Sequence, residues 1–226
     1  MSNNKITSSE TIVAIIRKIF DDYDEKNGAM QNIDYTKRAT AIVDTWQKAM
    51  NGKGLTTKLI CELHRIVCNH EDISIHDEQG NIIGYTKAGE YRTHPSSRKS
   101  ELHKGKRTLF LPQEQIPQRM EYLVSTMNSL FDSNLSNEVM IENIIAFTVE
   151  FLTVHPFANQ NGRIAQVLME LFAFQANIEP FFISYVVKTN YSAITKSTEE
   201  VLLHGNVAPF LSVMNKIKSL KGTKQL

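Results

Sequence analysis

HPFANQNGR, residues 155–163, separates two apolar segments in a chain of 226 residues. Because a residue that precedes proline is disfavoured in the helical region, the upstream helix should end just before His155 and leave it extended or in the bridge region. The downstream helix should begin near Gly162, with Asn159 or Asn161 as its cap. The stretch therefore predicts two helices joined by a short loop, with His155 close to the start of the second helix.

A histidine and a helix N-terminus in the same loop suit a phosphate-containing ligand. The negative end of the upstream helix should favour a basic His155 ring. The free amides of the downstream helix attract anions, Gly162 permits close approach, and Arg163 adds a planar fork that matches phosphate. The pattern indicates transfer of a phosphate-containing group to a hydroxyl whose proton His155 removes. A satisfied core histidine beside an ordinary helix cap is the alternative.

Helical periodicity dominates the rest of the chain, so we expect a mainly α fold. Hydrophobic residues make up 42% of the sequence and the net charge is +1, which does not indicate a nucleic-acid partner. No apolar run reaches the length of a membrane span, so no membrane partner is expected. Short β-like pieces at 73–76, 81–85 and 108–112 predict one or two hairpins. Helices are predicted over residues 8–24, 34–50, 55–70, 112–132, 137–154, 161–177, 190–205 and 207–220.

Three segments resemble the Fic family (filamentation induced by cAMP). KAGEYRT (87–93) resembles the family's AGxYR segment, and residues 190–214 resemble a helix pair with a small-residue face. The resemblance covers roughly residues 55 to 218. The family signature is written HPFx[D/E]GN[G/K]RxxR, and the matching positions in HPFANQNGR are His155, Pro156, Phe157, Asn161, Gly162 and Arg163.

The resemblance implies a Fic-type helical bundle with a short β-hairpin flap over the active site. It divides the chain into N-terminal helices (1–54), a Fic core (55–220) with the flap at about 93–111, and a frayed tail (221–226). The implied reaction moves AMP from ATP onto a Ser, Thr or Tyr hydroxyl of a target protein, with His155 as general base. The implied phosphate-binding residues are Asn159, Gln160, Asn161, Gly162, Arg163 and Gln166, and the implied flap and target residues are Gly89, Tyr91, Arg92 and Thr93.

Three positions depart from the family signature. Asn159 replaces the carboxylate that holds Mg²⁺ on the nucleotide phosphates, and an amide brings no charge to a metal. Gln160 replaces a glycine, which should narrow the amide cradle or require a different backbone. Gln166 replaces the arginine that grips the γ-phosphate. Two alternatives therefore stay open: an enzyme with a changed donor, such as phosphate, UMP or phosphocholine, and a weakly catalytic module that binds a nucleotide or a protein.

The resemblance also raises the question of regulation. Thr195 and Glu199 in TKSTEE (195–200) have the spacing of the family's inhibitory motif, but Glu200 departs from it, and we interpret this segment as a solvated helix face. Either the protein is controlled in trans, by an inhibitory, antitoxin-like partner, or this mode of control has been lost. The family's distribution indicates a bacterial cytoplasmic protein, a toxin or an effector, for which secretion into a host cell is open.

Overall fold

The computed structural model describes residues 7–27, 35–77, 79–181 and 183–212, and for residues 23–27 and 183–191 it describes the backbone alone. The mainly helical class is confirmed. The helices are α1 (Ser9–Asn27), α2 (Tyr35–Met50), α3 (Thr57–Val67), α4 (Ile116–Phe131, preceded by a 3-10 turn at Gln113–Gln115), α5 (Asn137–Val154), α6 (Asn161–Gln175) and α7 (Ile183–His204).

Two antiparallel hairpins lie between α3 and α4, as the break in helical periodicity predicts. β1 (Ile73–His76) pairs with β2 (Ile82–Thr86), with an irregularity in register between Ile75 and His76. β3 (Ser97–Lys99) pairs with β4 (Arg107–Leu109), and Arg98 lies opposite Thr108. The second hairpin falls within the flap predicted at 93–111, although the first of its strands, Ser-Arg-Lys, carries no β-like pattern.

Helices α5 and α6 form the centre of the molecule because their apolar residues face neighbours on most sides. Along α6 nearly every side chain from Asn161 to Phe174 is buried. The α1 and α2 helices pack against each other, and α1 also packs against α6. Side-chain caps fix two helix starts: Thr56 Oγ1 accepts from the Leu59 amide at 3.0 Å, and Ser136 caps α5. This packing places the ends of α5 and α6 next to each other.

The helix boundaries predicted from the sequence hold within a few residues, except at the C-terminal side. The α7 helix begins at Ile183, seven residues before the predicted start at 190. Of the helix predicted over 207–220, the structure describes residues only as far as 212, and 208–212 are helical. The frayed tail at 221–226 lies outside the described residues. Within the described residues, no helix has the length and apolar character needed to cross a bilayer.

Candidate active site

The loop between α5 and α6 is held in a conformation that L-residues seldom adopt. His155 has φ 50° and ψ 59°, which is left-handed, so the extended or bridge conformation expected before proline is wrong. Gln160 is also left-handed, with φ 62°, and forms the N-cap of α6 without a side-chain hydrogen bond. The family signature has a glycine at this position, and Gln160 adopts the left-handed conformation that a glycine would favour. Two strained residues bracket the loop, which is typical of functional sites.

Asn161 closes the loop on itself. Its Oδ1 accepts from the Phe157 amide at 3.0 Å, and its Nδ2 donates to the Phe157 carbonyl at 2.8 Å. Both polar atoms of this buried amide are therefore bonded to one backbone residue, while the Phe157 ring is fully buried beneath the loop. The helix cap expected from Asn159 or Asn161 is absent, because Asn161 is already the first residue of α6. The side chain of Asn161 fixes the loop's shape.

Arg92 fastens the same loop to the base of the flap. Its guanidinium is only 2% exposed and lies among backbone carbonyls. Nε donates to the His155 carbonyl at 2.7 Å, and Nη2 donates to the carbonyls of Val154, at 3.2 Å, and Leu111. Nη1 donates to the His94 carbonyl at 2.8 Å. Arg92 therefore supports His155 from below and does not face a target protein.

His64 on α3 supports the other end of the loop. Its Nε2 lies 3.1 Å from the Asn159 carbonyl, which can only accept, so Nε2 carries the proton. The unprotonated Nδ1 accepts from the Gly89 amide at 3.0 Å. The ring stacks on Phe157 with centroids 3.7 Å apart. Burial lowers the pKa of His64 to about 4, against the opposing effect of its bond to Asn159, so the neutral ring bridges the loop and the 87–90 turn.

A cavity of about 340 Å³ opens beside the loop, between α5, α6, α7 and the flap. His155, Gly162 and Gln166 line it together, which brings three of the predicted site residues to one place. A Cβ built on Gly162 would meet nothing within 4 Å, so the fold itself has no need for a glycine at this position. Gly162 leaves free space in the cavity at the N-terminus of α6, where backbone amides favour an anion.

The His155 ring has restricted access to this cavity. Phe110, directly after β4, stacks on it with centroids 3.8 Å apart and planes 6° from parallel. Nδ1 is buried and, among the described residues, has no hydrogen-bond partner of ordinary geometry, while the Leu152 backbone opposes the lowering of the ring's pKa. Burial, followed by the positive charges of Arg92 and Arg98, lowers the pKa of His155 to about 3. The basic ring expected from the end of α5 is therefore wrong: desolvation and two guanidinium groups outweigh the helix dipole, and the ring is neutral.

Glu199 of α7 holds the flap in place. It is fully buried, and it accepts hydrogen bonds from the Thr108 hydroxyl at 2.6 Å, the Glu101 amide at 2.7 Å and the Ser100 hydroxyl. Burial alone would raise its pKa, but these bonds prevail and lower it to about 2. The interpretation of TKSTEE as a solvated helix face is therefore wrong at this residue. We call the contacts of Glu199 with the flap the Glu199 latch.

Several predicted phosphate and metal residues do not line the cavity. Arg163 is buried and its guanidinium lies 5.3 Å from the centroid of the Phe20 ring on α1. Asn159 is exposed, and its Oδ1 accepts from the Gln160 amide at 2.7 Å. Gln166 is the predicted phosphate-binding side chain that does reach the cavity.

The predicted target and flap residues differ in exposure: Arg92 is buried, Gly89 and Tyr91 are half-buried, and Thr93 is exposed. Gly89 has φ 85°, and a Cβ there would lie 2.7 Å from the Cys61 carbonyl oxygen, so this glycine permits the turn to pack on α3. The Tyr91 ring packs on Phe157 at 5.6 Å. Thr93 is exposed at the start of the flap. Of the four, Thr93 is the most accessible in this conformation.

Sequence reasoning missed His64, Phe110 and the anchoring role of Glu199. Glu199 and His64 each act on residues about 90 or more positions away, and a periodic pattern within one helix carries no information about such partners. The signal available for Phe110 was its position at the end of the TLFLP stretch, an apolar residue immediately after a flap strand.

Comparison with known proteins identifies the family and the fold. The Fic/DOC family model matches residues 54–173. No curated protein sequence matches the chain significantly. A Fic domain containing signaling protein from Bacteroides thetaiotaomicron superposes with a TM-score of 0.61 at 19% identity, covering 94% of this chain and 87% of that one.

Two further solved structures have the same fold. The BepC effector of Bartonella tribocorum, solved with bound AMPPNP, is 21% identical, with a TM-score of 0.52 over 81% of this chain and 85% of that one. Fic-1 from C. elegans is 17% identical, with a TM-score of 0.55 over 94% of this chain, which spans 63% of that fragment. At such identities the likeness shows the fold.

Proposed function

The chain belongs to the Fic/DOC family, and from this premise we propose that it is a transferase that moves a phosphate-containing group onto a Ser, Thr or Tyr hydroxyl of a protein. One observation carries the proposal most directly: His155 lines the same cavity as Gly162 at the N-terminus of α6. A neutral imidazole there can take the proton of a hydroxyl beside an anion held by the helix amides.

The chemistry of the step follows from this arrangement. The acceptor oxygen forms a bond to phosphorus, the bond between phosphorus and the leaving oxygen breaks, and the hydroxyl proton passes to the His155 ring. A pKa of about 3 makes the resting ring neutral but a weak base. An anionic donor in the cavity would raise that pKa, because a nearby negative charge favours the imidazolium form. His155 would thus gain basicity when the donor is in place.

AMP from ATP is the donor reaction that the family resemblance implies. The cavity volume of about 340 Å³ lies within the range of small-molecule sites. BepC, which shares the fold, was solved with bound AMPPNP. The amides at the start of α6 and the side chain of Gln166 would contact the phosphates in this chain, with Gly162 leaving room for them.

Mg²⁺ does not fit the residues present. Magnesium is usually held by one or two carboxylates together with phosphate oxygens. Asn159, at the position of the family's carboxylate, is exposed and uses its Oδ1 for the Gln160 amide. Within the described part of the chain, no group of three or more His, Cys, Asp or Glu residues is arranged for a metal. This misfit, together with Gln166, favours a changed donor as the second candidate reaction.

We also propose how a target segment is bound and how the protein is controlled. The target segment would pair with a free edge of the hairpin β3–β4, since within the described part of the chain each of its strands is paired on one side only. We also propose a bacterial cytoplasmic site of action, with an inhibitory partner protein as one means of control. BepC is named a VirB-translocated effector, which makes secretion of this chain a proposal worth testing.

Transfer assays in bacterial and eukaryotic lysates test the proposal. Wild type, His155→Ala and His204→Ala would each be supplied with nucleotides labelled at the α-phosphate, which report transfer of a nucleotide. In separate reactions they would receive donors labelled in the terminal phosphate or in phosphocholine, which report a changed donor. Removal of a general base should lower labelling at least about 100-fold. His204 is exposed at the end of α7, so its variant serves as the matched histidine control. Labelling that persists in His155→Ala would sink the assigned role of His155.

A further inference from the structure

The flap carries more positive charge than the rest of the chain. Residues 97–109 contain five Lys or Arg side chains and one Glu, a formal charge of +4, whereas the whole chain carries +1. All other residues together therefore carry −3. Four of the five flap cations are exposed, namely Lys99, Lys104, Lys106 and Arg107. The flap is thus a basic element on a body of the opposite net charge.

No carboxylate in the described part of the chain forms an ion pair with these four cations. The ion pairs of the described residues lie within α1, within α3 and between α4 and α5. Arg107 donates from Nε to the Ser97 hydroxyl at 2.7 Å and from Nη2 to the Ser97 carbonyl at 3.1 Å, and both of these partners are neutral. The charge of the flap is therefore available to a binding partner.

The strand register places two of the cations directly opposite each other. Lys99 lies opposite Arg107, and Ser97 lies opposite Leu109. Because directly opposite side chains and those two residues along a strand share one face, Lys99 and Arg107 lie on the same face as Leu109, which is 72% exposed. We call Lys99, Arg107 and Leu109 the outer face of the flap. Like charges at opposite positions weaken a hairpin, so folding gains nothing from this pair, whereas a carboxylate bound between the two cations would relieve their repulsion.

The other face of the hairpin is already occupied. Arg98 and Thr108, which lie opposite each other, both bond to α7. Phe110, the residue after β4, stacks on His155. A segment that pairs with an edge of this hairpin would therefore pass beside the cavity, and every second side chain of that segment would point to the outer face.

We infer that the target segment is acidic: an extended stretch with Asp or Glu at alternate positions beside the acceptor hydroxyl, whose carboxylates lie against Lys99 and Arg107. The inference rests on the proposed function and names the class of protein substrate. Leu109 would contact an apolar side chain of the same segment. A nucleic acid is the less suitable partner, since a long polyanion would also meet the net negative charge of the remaining chain, while a short acidic segment meets the flap alone.

Peptide binding to the full chain tests this inference separately from transfer. The probes are labelled peptides of about twelve residues with a central Ser flanked by Glu at alternate positions, and matched peptides carry Gln or Lys in place of Glu. In fluorescence anisotropy at low ionic strength, the Glu peptide should bind at least about tenfold more tightly than the Gln peptide, and added NaCl should reduce the difference.

Three results would overturn the inference. The first is equal affinity for the Glu and Gln peptides, and the second is a failure of every peptide to bind. The third is a single-stranded oligonucleotide of the same charge that binds more tightly than the Glu peptide and depends on the same flap cations, which would make a nucleic acid the partner.

Charge reversal on the outer face separates recognition from a structural role. Lys99→Glu with Arg107→Glu should reverse the preference, so that the Lys peptide binds at least about tenfold more tightly than the Glu peptide. A second variant, Lys104→Glu with Lys106→Glu, changes the segment between the two strands and leaves the strands themselves as they are. It should weaken binding of the Glu peptide at least about threefold.

The matched control for both variants lies outside the flap. Lys53→Glu with Lys58→Glu makes the same change of net charge at exposed positions and should leave the preference for the Glu peptide as in wild type. If the control loses the preference as fully as the flap variants do, net charge alone explains the binding and the inference fails.

The two proposals fail in different ways. A chain that binds the Glu peptide through the flap but labels no protein, with any donor, would contradict the proposed transferase and leave this inference standing. A transferase that labels the same lysate proteins equally well in wild type and in the variant Lys99→Glu with Arg107→Glu would contradict this inference and leave the proposed function standing.

Discussion

At the scale of single residues, the loop between α5 and α6 depends on two left-handed backbones that neither residue type favours. His155 is followed by proline, which makes its φ of 50° all the more unusual. Two hydrogen bonds hold the His155 backbone in this conformation: Arg92 Nε donates to its carbonyl, and its amide donates to the Phe151 carbonyl. Strain at His155 serves the site, since it sets the ring against Phe110, whereas strain at Gln160 has no such evident benefit.

Replacing Gln160 by glycine should therefore stabilise the fold. A left-handed conformation costs an L-residue about 1–2 kcal/mol, while glycine loses about 0.5–1 kcal/mol of chain entropy, so the net gain is about 0.5–1 kcal/mol. Urea denaturation would measure it. The control, Gln175→Gly, removes a glutamine from the helical end of α6 and should destabilise. Equal destabilisation by both variants would contradict the explanation.

Arg92 should be among the least replaceable residues in the chain. Arg92→Gln would leave several of the carbonyls of Val154, His155, His94 and Leu111 without a donor. We expect a loss of about 3 kcal/mol or more in the free energy of unfolding. Arg107→Gln, at an exposed position of the flap, is the matched control and should cost less than about 1 kcal/mol. Chemical denaturation of both variants decides the point.

The sequence predicted the location of this site but not its construction. Pro156, Gly162 and the flanking apolar segments sufficed to place a loop between two helices and His155 within it. The direction of the His155 pKa was predicted incorrectly, because the helix dipole is visible in a sequence while desolvation and the approach of Arg92 from 63 positions away are not.

At the scale of elements, the flap is a small hairpin whose position is set by a helix distant in sequence. β3 and β4 have only three residues each, and a two-stranded ribbon of that size is marginal alone. The Glu199 latch and the bond from Arg98 to Thr195 attach it to α7. Periodicity predicted α7 itself, but it could not distinguish a carboxylate in solvent from one that is fully buried against a hairpin.

Glu199→Gln should loosen the flap without unfolding the helices. An amide accepts fewer strong bonds than a carboxylate, and the Glu101 amide should lose a charge-assisted partner. Hydrogen exchange of the Glu101 amide is expected to accelerate at least about tenfold, whereas exchange within α5 stays as in wild type. Glu200→Gln, one residue further along α7, is the matched control. Unchanged exchange at Glu101 would show that the latch does not restrain the hairpin.

The Phe110 ring should also control the titration of His155. Phe110→Ala would admit water to the ring face and reduce desolvation, so the pKa of His155 should rise from about 3 toward its ordinary value of 6.5. An NMR titration of the imidazole signals measures this shift directly. Leu109→Ala, which truncates the neighbouring side chain that is 72% exposed, should leave the titration unchanged. A pKa that stays near 3 in Phe110→Ala would mean that Arg92 and Arg98 dominate it.

At the scale of the whole molecule, the helical body and the candidate site share their buried groups. Periodicity predicted six of the seven helices to within a few residues, because each helix buries one apolar face against the same core. His64 belongs to that core and to the site at once, since its ring is fully buried on α3 and still bonds both the loop and the 87–90 turn. Replacement of His64 should therefore change both the free energy of unfolding and the geometry of the site.

Global stability should accordingly fall in mild acid. His64 has a folded pKa of about 4 against 6.5 for an ordinary histidine, so the unfolded chain binds more protons between these values. The contribution of His64 to the free energy of unfolding should be complete above pH 6.5. It should decrease as the pH falls toward 4, by about 3 kcal/mol in total. His64→Gln should lessen the pH dependence in this range, to which His155, with a folded pKa of about 3, also contributes. His103→Gln, at an exposed flap position, is the matched control. Denaturation at a series of pH values provides the test.

The arrangement around Arg92 has a consequence for modularity. The Arg92 guanidinium donates to carbonyls at both ends of the flap, His94 and Leu111, and to the carbonyl of His155. The segment between His94 and Leu111 should therefore be exchangeable as a unit. A chimaera that receives residues 93–111 from another member of the family should fold when the incoming stem presents equivalent carbonyls to Arg92. Recombination at this boundary would exchange the flap while His155 and its support by Arg92 are inherited unchanged.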